Sequence, residues 1–200
     1  IVQDLGLAKV LHESIPDLVL HASTQLSAHN LECVEELSKL GFSRVVLARE
    51  LTFDEIKYIC DNTTTEIEIF SHGALCVCYS GQCLMSSMIG DRSGNRGKCA
   101  QPCRLPYSLL KNDDEIAKGY LLSPKDLCSL ELLKELPNVV SLKIEGRMKS
   151  PEYVATVVST YKKYINKILA NEDSTPTSED KNALAQIFNR GGFSKGYWHG

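Results

Sequence analysis

The sequence predicts a fold of the α/β class, a partial α/β barrel whose earliest strands lie before the first residue. Two observations lead to this prediction. Short apolar strands alternate with amphipathic helices and no hairpin turn separates the first three strands, which is typical of a parallel sheet. Polar side chains also collect directly after the strands, where parallel α/β folds bind ligands. Periodicity does not exclude an open doubly wound sheet, which is the alternative.

Capping residues define the helices of the first half. Asn30 and Thr52 can accept hydrogen bonds from the free backbone N–H groups of a helix start, and Gly41 can end a helix. The predicted helices are Leu5–Glu13, a segment from Asn30 to Leu40, and one from Thr52 to Asn62. The predicted strands are Leu18–Ala22, Arg44–Ala48 and Glu66–Phe70.

The second half begins with a long loop over residues 71–104, which in a compact domain is usually functional. Beyond it we predict a hairpin, two further helices and one strand before residue 170. These are a hairpin of Tyr107–Lys111 and Gly119–Leu122 around the polar turn Asn112-Asp113-Asp114, a helix from Ser123-Pro124 to Leu136, the strand Val139–Glu145, and a helix opened by Ser150-Pro151. We therefore predict one unit over residues 1–170 with an insertion at 71–104. Residues 171–200 are predicted as a linker, a short helix (Lys181–Phe188) and the start of an accessory segment.

Composition narrows the class of protein. A chain of 200 residues that is 43% hydrophobic can bury one sizeable core. Its net charge of −3 argues against nucleic-acid binding over the whole surface, although a local basic patch remains possible. No signal peptide or long apolar run occurs, so we expect a soluble cytoplasmic protein with no membrane association. Because the chain opens on Ile1 and ends in a Gly/aromatic segment, we expect it to be a fragment.

Cysteines are concentrated in the long loop. Five of the eight cysteines lie between Cys76 and Cys103, a density that a packed core does not require. Cytoplasmic thiols stay reduced, so this cluster indicates metal or redox chemistry rather than disulfides. Cys33 and Cys60 fall in predicted helices and are interpreted as core thiols. The candidate ligands are Cys76, Cys83, Cys99, Cys103 and Cys128, with Cys78 less favoured. Four such thiolates suit a [4Fe–4S] cluster, and a Cys₄ zinc site is the alternative.

The strand ends supply further candidates. Gln25 and Arg49 follow the first two strands, and Glu145 and Arg147 lie at the end of the last strand. The alternation of side chains along a strand predicts that Glu68 and His72 share one face with Phe70. The glycine-rich segment 90–98 contributes Arg92, Asn95 and Arg96, whose donors suit phosphate or carboxylate, although a mobile loop explains its composition equally well.

Several long motifs resemble the collagenase-like peptidases, the unknown-type peptidase family thirty-two. The likeness covers the whole chain. The motifs are Glu68-x-Phe70-x-x-Gly73-Ala74-x-Cys76-x-x-x-x-Gly81-x-Cys83, Gly94-Asn95-Arg96-Gly97-x-Cys99-Ala100-Gln101-Pro102-Cys103-Arg104, Ser123-Pro124-Lys125-Asp126-Leu127-Cys128, Lys143-Ile144-Glu145-Gly146-Arg147 and Gly192-Phe193-x-x-Gly196-Tyr197.

The resemblance implies a TIM-type barrel and one of two activities. Some members are named for collagenolytic activity. Others carry a four-cysteine [4Fe–4S] cluster and support oxygen-independent hydroxylation of tRNA wobble uridine, 23S rRNA or a ubiquinone precursor, with prephenate associated with the RNA branches. The unbroken Gly-Asn-Arg-Gly and Cys-Ala-Gln-Pro-Cys-Arg blocks resemble the RNA branch. Mapped by motif, the implied cluster ligands are Cys76, Cys83, Cys99 and Cys128, and Cys103 can replace Cys99 or Cys128.

Two functional hypotheses follow. The first is an iron–sulfur enzyme that hydroxylates a pyrimidine in tRNA or rRNA, with RNA and a small carboxylated co-substrate as partners. Glu68, His72, Glu145 and Arg147 would line the barrel mouth as catalytic residues. Gln25, Arg49, Arg92, Asn95, Arg96 and Arg104 would bind the substrates. The second hypothesis is a peptidase in which His72 and the carboxylates hold a metal. A non-catalytic protein with a structural cluster is a third possibility, and the oligomeric state is left open.

Overall fold

A computed structural model describes residues 1–199 and contains six α-helices and eight β-strands in this range. The helices are α1 (Leu5–Ser14), α2 (Leu31–Lys39), α3 (Phe53–Asn62), α4 (Met85–Gly90), α5 (Pro151–Leu169) and α6 (Ser178–Ile187). The strands are β1 (Leu20–Ala22), β2 (Phe42–Val46), β3 (Glu66–Ala74), β4 (Tyr107–Lys111), β5 (Asp114–Gly119), β6 (Asp126–Cys128), β7 (Ser141–Ile144) and β8 (Phe193–Ser194).

Four strands form a parallel sheet in the order β1, β2, β3, β7. Leu20 pairs with Phe42, and Glu68 lies between Val46 on one side and Ser141 on the other. The parallel arrangement of the four predicted strands is therefore confirmed. Among residues 1–199 no strand pairing closes this sheet into a barrel. The α/β class is confirmed, and the barrel stays a prediction.

The helices α2 and α3 cover one face of the parallel sheet. Apolar side chains of β2 and β3, such as Val45 and Ile67, are almost fully buried against them. Burial of each such side chain contributes about 1.5–3 kcal/mol. The predicted capping residues stabilise the first turn of each helix. Asn30 Oδ1 accepts from the Cys33 backbone N–H at the start of α2, and Thr52 forms a capping box with Glu55 at the start of α3.

The predicted helix from Ser123 to Leu136 is wrong. Residues Asp126–Cys128 instead form β6, which runs antiparallel to the last part of β3, and a short 3₁₀ segment follows at Leu130–Glu135. The reason is that β3 continues to Ala74, four residues beyond its predicted end. The extra length leaves backbone groups at His72–Ala74 that need partners, and β6 supplies them.

The predicted hairpin exists, but its second strand starts earlier than expected. Asn112 and Asp113 both have positive φ angles, which permits a tight two-residue turn. The second strand therefore begins at Asp114 rather than at Gly119. The polar turn lies where the sequence predicts it, since Asn and Asp tolerate the left-handed conformation better than most side chains, and only the start of the second strand differs.

A second core lies between β6, α5 and α6, and the Tyr161 hydroxyl is its main polar group. This hydroxyl donates to the Ser71 carbonyl (2.9 Å) and accepts from the Ser129 backbone N–H (3.0 Å). Tyr161 is only 3% exposed, so no water replaces these bonds. The side chain thus ties α5 to the backbone of β3 and to the residue after β6.

We expect Tyr161→Phe to lower the free energy of unfolding by about 0.5–1.5 kcal/mol, because it removes the hydrogen bonds of the hydroxyl, while the Ser129 N–H and the Ser71 carbonyl keep their own bond at 3.0 Å. Chemical denaturation of the two proteins measures this difference. Tyr120→Phe is the matched control, since Tyr120 is 67% exposed. Equal stability of the wild type and Tyr161→Phe would contradict the expected role of the hydroxyl.

The segment after residue 170 folds back on the main sheet. Helix α6 packs on α5, β8 pairs parallel with β6, and Trp198 is buried against Phe53. The proposed division of the chain at residue 170 stays a prediction. No helix in the described range is both long enough and apolar enough to span a membrane.

Candidate metal and substrate site

A cavity of about 240 Å³ lies at the carboxyl ends of the parallel strands, and we call it the cysteine cavity. Gln25, Arg49 and Glu145, which follow β1, β2 and β7, contribute to its wall, and the loop after β3 supplies most of the remainder. The predicted site residues that line it are Gln25, Arg49, Cys76, Cys83, Arg92, Asn95, Cys99, Arg104, Glu145 and Arg147, together with the alternative ligand Cys103. The structure therefore brings this set of residues together around one cavity.

Four thiols face the cysteine cavity: Cys76, Cys83, Cys99 and Cys103. Burial raises the pKa of the Cys103 thiol, and the nearby Cys76, Cys99 and Cys83 raise it further while Arg104 lowers it. The Gln101 backbone N–H donates to Cys99 Sγ at 3.3 Å. Within residues 1–199, no three His, Cys, Asp or Glu side chains are gathered closely enough to form a metal site. The donor set suits a thiolate-bound metal, but binding would require the loop to close.

Cys128 lies outside the cysteine cavity. It is in β6, opposite His72, and its sulfur is 3.8 Å from the Tyr161 hydroxyl. It lines a separate cavity of about 280 Å³ beside Leu184 and Phe193. Burial raises the pKa of the Cys128 thiol, as it raises that of Cys103, so the location of each sulfur and not its pKa separates the two. In this arrangement Cys103, not Cys128, completes a set of four with Cys76, Cys83 and Cys99.

Arg49 lines the cavity, and its guanidinium is held by contacts with neighbouring side chains. Its guanidinium stacks on the Phe70 ring at 4.1 Å, and Nη1 donates to Ser80 Oγ at 3.5 Å. Burial lowers the pKa of Arg49, while Cys76 and the carboxylates of Glu145 and Glu50 raise it. Its Nε is buried without a hydrogen-bond partner. An anionic ligand or thiolate in the cavity would complement this buried charge.

Glu145 and Arg147 line the same cavity. Arg147 Nε lies 3.4 Å from Glu145 Oε1, and its Nη1 donates to the Gly97 carbonyl at 3.1 Å. The Arg147 side chain is 58% exposed, so its remaining donors are available to a ligand. Arg147 therefore connects the loop after β7 to the glycine-rich segment and presents positive charge at the cavity mouth.

Three predicted substrate-binding side chains mainly connect loops. Gln25 Nε2 donates to the Gly94 carbonyl (3.4 Å), Asn95 Nδ2 to the Gly81 carbonyl (3.2 Å), and Arg92 Nε to the Lys98 carbonyl (3.0 Å). All three side chains line the cavity but use polar atoms to hold its walls together. The glycine-rich segment is thus anchored to the segment after β1 and to the loop that follows β3.

Two predicted anion-binding arginines are placed differently from the expectation. The Arg104 guanidinium donates to Ser123 Oγ, the Pro124 carbonyl and the Leu75 carbonyl, so internal acceptors occupy much of its hydrogen-bonding capacity. Arg96 is exposed and does not contact the cysteine cavity. The sequence shows a basic, glycine-rich segment but not which of its side chains point inward.

The prediction that His72 shares a face with Glu68 and Phe70 is wrong. The register of β3 on β7 shifts between Phe70 and His72, so one extra residue turns His72 toward α5. Its ring is 1% exposed and lies against Tyr153, Tyr161 and Phe193. Burial lowers the pKa of His72 to about 4. The imidazole does not line the cysteine cavity.

Glu68 faces the side of the sheet opposite α2 and α3, but deeper than the cavity. Its carboxylate accepts from Ser141 Oγ at 2.8 Å and lies 3.3 Å from Lys143 Nζ and 3.7 Å from Arg44. At 7% exposure it is a buried, paired charge, and it does not contact the cysteine cavity. In this structure its contacts are those of an ion-pair network across β2, β3 and β7.

Sequence reasoning missed Ser80 and Glu50 as parts of the site. Ser80 is 2% exposed between Cys76 and Cys83, and its backbone N–H donates to Glu50 Oε1 at 2.8 Å. The available signal was the position of Glu50, directly after Arg49 at a strand end. No local pattern relates Glu50 to a serine 30 residues away in the chain.

The amino-acid sequence is similar to proteins named for RNA hydroxylation and to proteins named as collagenases. The chain is 44% identical over 173 residues to a 23S rRNA 5-hydroxycytidine C2501 synthase of Escherichia coli strain K12, which covers 84% of the chain and 26% of that protein. It is 40% identical over 187 residues to tRNA hydroxylation protein P1 of Bacillus subtilis strain 168, and this alignment covers 87% of the chain and 44% of that protein. It is 35% identical over 212 residues to a collagenase of Porphyromonas gingivalis, covering 97% and 51%.

The chain thus spans about half the length of most of these relatives and a quarter of the first. No solved structure matches it significantly. The model of peptidase family U32 matches residues 1–200, which is the entire sequence and includes every strand end and loop of the cysteine cavity. The chain therefore belongs to peptidase family U32.

Proposed function

We propose that this chain forms the cofactor- and substrate-binding part of an iron–sulfur protein that hydroxylates a pyrimidine in RNA. The observation that carries the proposal is the cysteine cavity, in which four thiols and four arginines meet at the ends of parallel strands. Two relatives named for RNA hydroxylation, at 44% and 40% identity, support RNA as the substrate class. Wobble uridine in tRNA and a cytidine or uridine in 23S rRNA are the proposed targets.

A [4Fe–4S] cluster is the proposed cofactor. The thiols of Cys76, Cys83, Cys99 and Cys103 would hold it, since they share one cavity and cysteine thiolates are the usual ligands of such clusters. When bound, the cluster would supply electron transfer. A Cys₄ zinc site has the same ligand chemistry, so metal analysis must distinguish the two.

The residues of the chain would bind and orient the substrates. Arg49 and Arg147 both line the cavity and would hold anionic groups, either RNA phosphates or a small carboxylated co-substrate such as prephenate. Glu145 would orient Arg147 through their contact at 3.4 Å. Stacking on Phe70 would keep the Arg49 guanidinium in the plane that suits a bidentate anion contact.

The collagenase-named relative, at 35% identity, keeps a peptidase as the rival hypothesis. That hypothesis places His72 and carboxylates on a metal. The buried position of His72 among aromatic rings does not support this role, and Glu68 is occupied by Lys143 and Ser141. We therefore favour RNA hydroxylation. A cytoplasmic location and the arrangement of the sheet as part of a TIM-type barrel belong to the same proposal.

Nucleoside analysis tests the function directly. RNA from a strain that lacks the gene should be missing one hydroxylated pyrimidine in tRNA or rRNA, and the full-length gene should restore it. Mass spectrometry of digested RNA detects the change. An unchanged nucleoside profile, combined with collagen cleavage by the purified protein, would favour the peptidase instead.

Arg147→Ala should reduce this modification about ten- to a hundredfold, because loss of a hydrogen bond to a charged group costs about 1.5–3 kcal/mol. Arg96→Ala is the matched control: it removes the same side chain from an exposed position outside the cavity and should have little effect. The measurement is the modified fraction after complementation with each variant, together with iron content. Equal activity of Arg147→Ala and the wild type would contradict the proposed anion contact.

A further inference from the structure

Ser80 joins the cysteine loop to the ends of two other strands. Its backbone N–H and its hydroxyl both donate to Glu50 Oε1, at 2.8 and 3.1 Å. Its Oγ accepts from the Arg49 backbone N–H at 3.3 Å, and its carbonyl accepts from Ser27 Oγ. Ser80 therefore contacts the segments after β1 and β2 while it lies in the loop that follows β3.

The next residue shows how closely this loop approaches the strand ends. Gly81 has a φ of +78°, and a Cβ at this position would lie 2.3 Å from the Gln25 carbonyl oxygen. No side chain fits there. The close approach at Gly81 and the hydrogen bonds of Ser80 together determine how the segment between Cys76 and Cys83 sits on the sheet.

From these contacts we propose that Glu50 is a positioning residue of the cysteine cavity. A single carboxylate oxygen, Oε1, accepts two hydrogen bonds from Ser80 and so holds the loop that carries Cys76 and Cys83. The same serine accepts from Arg49 Nη1 at 3.5 Å, so it also orients the buried guanidinium. The cofactor that these groups position rests on the proposed function, but the positioning itself does not.

Glu50 and Ser80 support the wall of the cavity rather than the hydrophobic core. Glu50 and Ser80 are absent from the residues that line the cavity, yet their neighbours Arg49, Tyr79 and Gly81 line it. Loss of the carboxylate would leave the buried Ser80 N–H without an acceptor, which favours local opening of the loop. Glutamine at position 50 would keep an acceptor oxygen and remove only the charge.

The test compares Glu50→Ala with Glu50→Gln in the full-length protein after removal of metal. Alkylation of Cys76 and Cys83 by iodoacetamide is followed by peptide mass spectrometry, with Cys60 in α3 as the internal reference. We expect Glu50→Ala to accelerate alkylation of both loop thiols about tenfold, because opening exposes them. Glu50→Gln should react at the wild-type rate.

Glu55→Ala is the control for general destabilisation, because it removes the capping box of α3 without contacting the cavity. Its alkylation rates at Cys76 and Cys83 should match the wild type. Acceleration in Glu55→Ala equal to that in Glu50→Ala would overturn the proposal, as would unchanged rates in Glu50→Ala or failure of glutamine to rescue.

Iron content provides a second readout in anaerobically reconstituted protein. We expect Glu50→Ala to release iron to a chelator severalfold faster than the wild type and Glu50→Gln to match the wild type; equal release by all three would overturn the proposal. A wild-type protein that binds no iron would refute the proposed cofactor. The alkylation rates of the metal-free protein would still decide the role of Glu50.

Discussion

Cys103→Ser should abolish iron binding by the anaerobically purified full-length protein, whereas Cys128→Ser should retain it. The reason is that Cys103 lines the same cavity as Cys76, Cys83 and Cys99, while Cys128 is buried beside Tyr161 in a separate cavity. Removal of one of four thiolates leaves a cluster without a ligand. Iron and sulfide analysis together with the visible absorbance spectrum measures the outcome, with about four irons per chain expected in the wild type.

Cys33→Ser and Cys60→Ser are the controls, because both thiols lie in helices that pack on the core and not on the cavity. Both variants should keep the full iron content. Loss of iron in Cys128→Ser, with iron retained in Cys103→Ser, would restore the ligand set that the family resemblance implies. If the wild-type protein contains stoichiometric zinc instead of iron, the four thiols form a zinc site and the proposed cluster is wrong.

His72→Phe should make the protein less sensitive to acid and should leave RNA modification unchanged. Burial lowers the pKa of His72 to about 4, against an ordinary value of 6.5. Between these values the unfolded chain binds a proton that the folded chain does not, so stability falls as the pH decreases from 6.5 toward 4. At about 1.4 kcal/mol per pH unit, this group accounts for a loss of about 3 kcal/mol.

Urea denaturation at several pH values measures this loss, and the slope in the acid range should flatten in His72→Phe. His199→Phe is the control, since His199 is exposed, and its slope should match the wild type. If modification is lost in His72→Phe while its folding is intact, the imidazole takes part in the reaction and the interpretation of a buried core histidine fails.

Much of the fold was predictable because its signals are local. Asn30, Thr52 and Ser150 accept hydrogen bonds from the helix starts that follow them, as their residue types predict. The alternation of strands and helices predicted a parallel sheet, and β1, β2, β3 and β7 are parallel. The position of polar residues after these strands was enough to predict a site at one edge of the sheet.

Other features depend on contacts between distant parts of the chain. The sequence by itself determined the four parallel strands and most of the helices, and that cysteines and arginines gather near the strand ends. Only the tertiary structure decided that His72 and Cys128 leave the site and that Glu50 holds Ser80. A single extra residue in β3 reverses the face of every side chain beyond it, and the strand that then pairs with β3 is more than 50 residues away. Neither the bulge nor the distant partner has a local pattern, because both arise from pairing between strands.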